Sequence, residues 1–159
     1  MPDASPETSR AIVKVIEEES AAFWGKDFDA LARHWVHAPH ARHIGWWSRG
    51  GATAMNGWRE IGNRIKWQME ANPDPNPTAG AVHRENFNIQ VSGDLAWVTF
   101  DQYGIETGDR RMDMPGLSHE TRILEKHGEE WKIAYVGWIL VGPDEAGAGP
   151  SGARRTGVA

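Results

Sequence analysis

Apolar residues in the first half of the chain recur at helical spacing, and beyond residue 80 they switch to alternation. Ile12, Val13, Ile16, Ser20 and Phe23 share one face of a helix that Thr8 or Ser9 can cap and that runs to about Trp24. Glu19 falls inside the same arc, so it either sits at the edge of the buried stripe and reaches water or points into a cavity. Gly25 and Lys26 break this helix, and Asp27 caps a second in which Phe28, Leu31, Ala32, Trp35 and Val36 keep the helical period. Pro39 removes an amide donor and pushes Ala38 toward an extended conformation, which predicts that the second helix stops near His37. Residues 40–47 then run on as an extended segment, and SRGGATAMNG reads as a short hairpin or loop. Trp58, Ile61, Ile65 and Met69 form the stripe of a third helix, opened by Asn56 or Gly57 and ended by the prolines of ANPDPNPTAG.

In the second half, Phe87, Ile89 and Val91 alternate with Asn86, Asn88 and Gln90, as in a strand with one polar face. Ser92-Gly93-Asp94 turns the chain into LAWVTFDQYGIE, a strand apolar on both faces at its start. GDRRMDMPG reads as a long loop, LSHETRILEK as a third strand, HGEE as a tight turn and WKIAYVGWILV as a fourth strand. Strands joined this way make an antiparallel meander. Three N-terminal helices packed on one face of a curved antiparallel sheet give an α+β domain. Residues 1–8 read as a flexible lead-in, 9–142 as one folded domain and 143–159 as a disordered tail with almost no apolar content.

The 159 residues suffice for a core without disulfides or metal, and the absence of cysteine excludes thiolate catalysis and Cys-based zinc sites. A net charge of −5 and a pI near 5.8 argue against a nucleic-acid partner. The first ten residues carry neither a basic region nor an apolar run, and no segment approaches membrane-spanning length, so a cytoplasmic protein with no membrane partner is expected. Nine tryptophans stand against two tyrosines and four phenylalanines. Tryptophan combines a large apolar area with one donor, which suits cavity walls and subunit interfaces.

Chemistry concentrates in HWVHAPHARHIGWW, residues 34–47, which holds four of the seven histidines together with Arg42. The histidines recur every three residues at 34, 37, 40 and 43, and on a helix such a spacing lets His34 and His37 chelate a metal. Pro39 separates the pairs and no carboxylate pattern accompanies them, so neither a metal nor another cofactor is expected.

The order of elements and three segments, KDFDALARHW at the helical hairpin, NGWREIGNRI in the third helix and the ending ETRILEKHGEEWKIAYVGW, resemble the nuclear transport factor two-like superfamily in its SnoaL-like and ketosteroid isomerase-like branch. The resemblance covers about residues 10–141. It implies a cone with a pocket at its open end, sheets that pair back to back as homodimers, and activities that range over isomerases, dehydratases, polyketide cyclases and epoxide hydrolases; shared fold does not choose among them. In the ketosteroid isomerase-like members it implies a carboxylate base on the first strand, a protonated acid on a later strand and a tyrosine on the first helix. Those positions fall on His43, Glu120 and Glu19, and the changed residue types point away from steroid isomerisation itself. A histidine in an apolar cavity can still act as a base, and a buried glutamate can stay protonated and donate.

Strand parity leaves the facing residues open. Ala41, His43, Gly45 and Trp47 share one face and His40, Arg42, Ile44 and Trp46 the other; Ser118, Glu120, Arg122 and Leu124 oppose Leu117, His119, Thr121 and Ile123. His43 and Glu120 are the candidate acid–base pair, with Trp47 in their wall, and Glu19, Trp24, Arg42, Asp101, Tyr103, His119, Tyr135 and Trp138 are candidates for ligand binding. Trp97, Trp131 and Trp138 can alternatively serve a dimer surface. Two functions lead, an acid–base enzyme on a hydrophobic substrate or a binder of a small apolar or anionic ligand without catalysis, and a histidine-based metal-binding protein is the third and least favoured reading.

Overall fold

The computed structural model describes residues 3–47, 50–76, 82–104 and 117–141; the tail expected at 143–159 and the loop expected at GDRRMDMPG lie outside the described residues. Helix α1 spans Pro6–Gly25, α2 Phe28–Arg33 and α3 Trp58–Ala71, and the strands are β1 Arg42–Trp47, β2 Gly51–Asn56, β3 Val82–Ser92, β4 Leu95–Gly104, β5 Leu117–His127 and β6 Glu130–Leu140. They form one sheet in the order β2-β1-β6-β5-β4-β3. The sheet is not purely antiparallel as expected, because β1 runs parallel to β6. No helix among the described residues is long and apolar enough to cross a membrane.

Helix α1 starts earlier than the spacing predicts. Ser5 Oγ accepts from the amide of Thr8 at 3.2 Å and Pro6 takes the first turn, where its missing N–H has no cost. Upstream, Asp3 bridges to Gln90 and the amide of Ala4 donates to the Ile89 carbonyl, so the expected loose lead-in is tied to the edge of β3 from residue 3 onward.

Helix α2 ends sooner than expected, at His34 instead of near His37. Residues 34–36 leave the helix to pair with β6: the Ile133 amide donates to the His34 carbonyl at 2.7 Å and the Val36 amide to the Ile133 carbonyl at 2.8 Å. Main-chain pairing with a strand a hundred residues away wins over continued helix, and Pro39 is not the terminator.

On the concave side Ile12, Ile16, Leu31, Ile61, Val98, Leu124 and Ile133 are fully or almost fully buried between helices and sheet. Trp131 joins this core, and Trp138 packs against it from the cavity side, so neither serves the convex surface. A bulge in β3 places Asn86 at φ +58°, a left-handed conformation that Asn tolerates better than most residues. It resets parity so that Arg84 as well as Phe87 turns inward.

Candidate functional site

A cavity of about 840 Å³ opens between α1, α3 and the concave face of β1, β2, β5 and β6. Glu19 and Trp24 reach it from α1, His43 and Trp47 from β1, Glu120 from β5 and Trp138 from β6. Strand parity is thereby settled for β1 and β5. Arg42, Asp101, Tyr103, His119 and Tyr135, expected near the ligand, belong to the alternate set and are absent from the cavity lining. Asp101 instead accepts from Asn86 and pairs with His119 at 2.8 Å, Tyr103 lies against the His83 ring, Tyr135 covers Gly137, and Arg42 is exposed.

Gly45 sets the geometry of His43. A Cβ at Gly45 would overlap the Trp138 ring, so only glycine lets that indole lie against β1. From there Trp138 Nε1 donates to His43 Nε2 at 2.9 Å. Indole nitrogen can only donate, so the Nε2 lone pair is engaged and the ring's proton belongs on Nδ1. Burial, reinforced by the Arg122 guanidinium, lowers the His43 pKa to about 4. His43 is therefore a neutral N–H donor at ordinary pH, and its basic nitrogen is already occupied.

Glu120 is 5 % exposed and accepts from Ser118 Oγ and, at 2.7 Å, from Arg122 Nη1. Arg122, 7 % exposed, also donates from Nη1 to the Thr121 and Gly137 carbonyls and lies over the Phe100 ring. The expected His43–Glu120 acid–base pair is thus corrected: the two face one cavity, but their hydrogen bonds go to Trp138 on one side and to Ser118 and Arg122 on the other. A glutamate held by a guanidinium is an acceptor and not a neutral donor.

Glu19 is 8 % exposed and lies on the cavity wall. Burial raises its pKa; Arg122 and the hydrogen bond from Trp35 Nε1, 3.0 Å from Oε1, pull the other way without cancelling it. Ile12, Ile16 and Glu19 follow one another on the buried face of α1, which is why the carboxyl group lies inside. Arg84 flanks this cluster, donating to Gln102 at 2.8 Å and to Ser20 at 2.6 Å. Trp35, Arg84 and Arg122 were not among the expected site residues. For Arg122 the Glu120-x-Arg122 alternation was a usable signal, whereas Arg84 depends on the bulge and Trp35 on the early end of α2.

The histidines at 34, 37, 40 and 43 diverge. His34 lies near Glu18, His37 stacks on Trp58 at 4.4 Å, His40 bonds Glu125 at 2.6 Å, and only His43 enters the cavity.

The profile of the SnoaL-like domain family matches residues 12–137. No curated protein matches the chain. Among solved structures, a nuclear transport factor two-like protein of unknown function from Pseudomonas putida superposes with a TM-score of 0.64 at 15% identity, covering 85% of this chain and 87% of that one. A proposed ketosteroid isomerase from Parabacteroides distasonis gives 0.60 at 16% identity, with 83% and 86% covered. A cystatin-like fold protein from Burkholderia xenovorans gives 0.62 at 15% identity, with 89% and 97% covered. At such identities the likeness is one of fold.

Proposed function

Since the chain belongs to the SnoaL-like domain family of the nuclear transport factor two-like superfamily, we propose that its cone takes up a small, largely apolar molecule and exchanges a proton with it, with Glu19 as the proton-exchanging group. The reaction class is acid–base, of isomerase, dehydratase or cyclase type. Glu19 carries this reading: it is a carboxyl group on the cavity wall whose pKa is raised by burial. A group whose pKa moves toward the working pH is the more effective proton carrier. Trp35 orients the carboxyl group through Oε1, and Arg122 keeps its charged form accessible. His43 contributes an N–H, and Glu120 holds Arg122 in place.

A second reading, binding without turnover, is favoured by how fully His43 and Glu120 are engaged with neighbours. A thermal-shift screen together with mass spectrometry of copurifying small molecules identifies the ligand, which is then incubated in D2O with the wild type and with Glu19→Gln. The enzyme reading predicts deuterium exchange or turnover that falls roughly 10²- to 10⁴-fold in the variant while affinity changes only a few-fold. A ligand that binds and returns chemically unchanged, with no exchange, leaves the carrier reading.

We also propose a homodimer through the convex face, where Trp46, Leu95, Trp97 and Ile139 are 44, 44, 43 and 53% exposed.

A further inference from the structure

Strand β3 uses a left-handed residue to turn one long side chain inward. Asn86 takes φ +58°, its Nδ2 donates to Asp101 Oδ2 at 2.8 Å and so fastens the bulge to β4, and Arg84 thereby points between α1 and the sheet. Bulges recur where a side chain is re-aimed beside a functional site. Here the re-aimed group is a guanidinium, delivered to the turn of α1 that carries Glu19. Arg84 Nη2 donates to Ser20 Oγ at 2.6 Å and Nε to Gln102 Oε1 at 2.8 Å, and both acceptors line the cavity. Arg84 therefore ties α1 to the concave side of β4 at the residue next to Glu19.

Its charge gives the tie a second consequence. A half-buried cation calls for negative partners, yet among the described residues both hydrogen bonds of Arg84 go to neutral groups. Arg122 differs, being paired with Glu120 at 2.7 Å. Burial disfavours the Arg84 charge, while Glu17, Glu120 and Glu19 favour it from further away. The influence is mutual. Burial, helped by Glu120, raises the Glu19 pKa, and Arg122, the Trp35 hydrogen bond and Arg84 oppose that rise. We propose that Arg84 is a positioning residue for Glu19: through Ser20 it fixes the turn of α1 that presents the carboxyl group, and its charge, held in no direct ion pair among the described residues, keeps the ionised carboxylate within reach. This role rests on the reading of Glu19 as the proton-exchanging group, and it makes the Asn86 bulge a part of the site.

Carboxyl ¹³C NMR titration of Glu19 in the full-length wild type, Arg84→Gln and Arg84→Lys tests the charge, and amide hydrogen exchange of Ser20→Ala tests the tie. Arg84→Gln should move the Glu19 midpoint upward and Arg84→Lys should return it close to the wild-type value, a shift that an arginine acting only as a brace would not produce. Ser20→Ala, which keeps the guanidinium, should speed exchange at the Phe23 and Trp24 amides several-fold. An unmoved midpoint in Arg84→Gln, a midpoint as high in Arg84→Lys as in Arg84→Gln, or unchanged exchange in Ser20→Ala overturns the role of Arg84 and leaves the acid–base reading standing. Should the Arg84 variants fail to fold, the Ser20→Ala exchange still decides. A wild-type Glu19 midpoint at or below 4.5 is the separate result that removes the acid–base reading itself.

Discussion

Arg122 and Glu120 are each almost wholly removed from water, and their mutual contact at 2.7 Å compensates two desolvated charges. Removing one partner of such a pair leaves the other charge buried alone, so Arg122→Met should cost roughly 3–5 kcal/mol in urea denaturation, whereas the double change Arg122→Met with Glu120→Leu should recover most of it. If the single and double variants are equally destabilised, the pair is not what holds these side chains. His43 adds a pH dependence. Its pKa falls from 6.5 in the unfolded chain to about 4 in the fold. Between those values the unfolded chain binds more protons, so stability is full above about pH 6.5 and declines as pH falls toward 4. His43→Phe should flatten that acid limb. Glu19 acts with the opposite sign: its raised pKa means the folded state holds the proton longer, so its contribution to stability declines as pH rises above 4.5. Much of this was hidden in the sequence. Both faces of residues 40–47 carry titratable or aromatic side chains, so alternation alone did not choose between His43 and Arg42. Gly45 was the overlooked clue: a glycine within a short strand is ordinarily a weakness, and here it is the space the Trp138 ring occupies.

Among the elements, α3, β4 and most of β5 follow the period written in the chain, because each has one face against a continuous core. The ends of α1 and α2 do not. Ser5 and the bridge from Asp3 to Gln90 extend the start of α1, and pairing with β6 shortens α2, both through partners far away in sequence. The β3 bulge is a third case, since counting by twos from Phe87 sends Arg84 outward and only Asn86 at φ +58° turns it in. Asn86→Val should therefore be destabilising by about 1–2 kcal/mol, the cost of a branched side chain in a left-handed conformation, while Asn86→Gly should be near neutral. Urea midpoints at constant m-value decide this, and equal tolerance of Val and Gly would mean that the bulge relaxes away.

For the whole molecule, the six-stranded sheet accounts for a concave side that lines the cavity and a convex side that exposes Trp46, Leu95, Trp97 and Ile139. Light scattering at micromolar concentration should give twice the monomer mass of 17.7 kDa, and Trp97→Lys with Ile139→Lys should return it to the monomer value. A wild-type mass of one chain would refute the back-to-back dimer. Proton exchange in the cavity requires Glu19 to titrate above the ordinary carboxylate range. Carboxyl ¹³C NMR titration of the wild type, with Glu19→Gln to assign the signal, tests it most directly. The Glu19 midpoint should lie above 4.5 and move higher still when Arg122 is replaced by Met. A midpoint at or below 4.5 would contradict it.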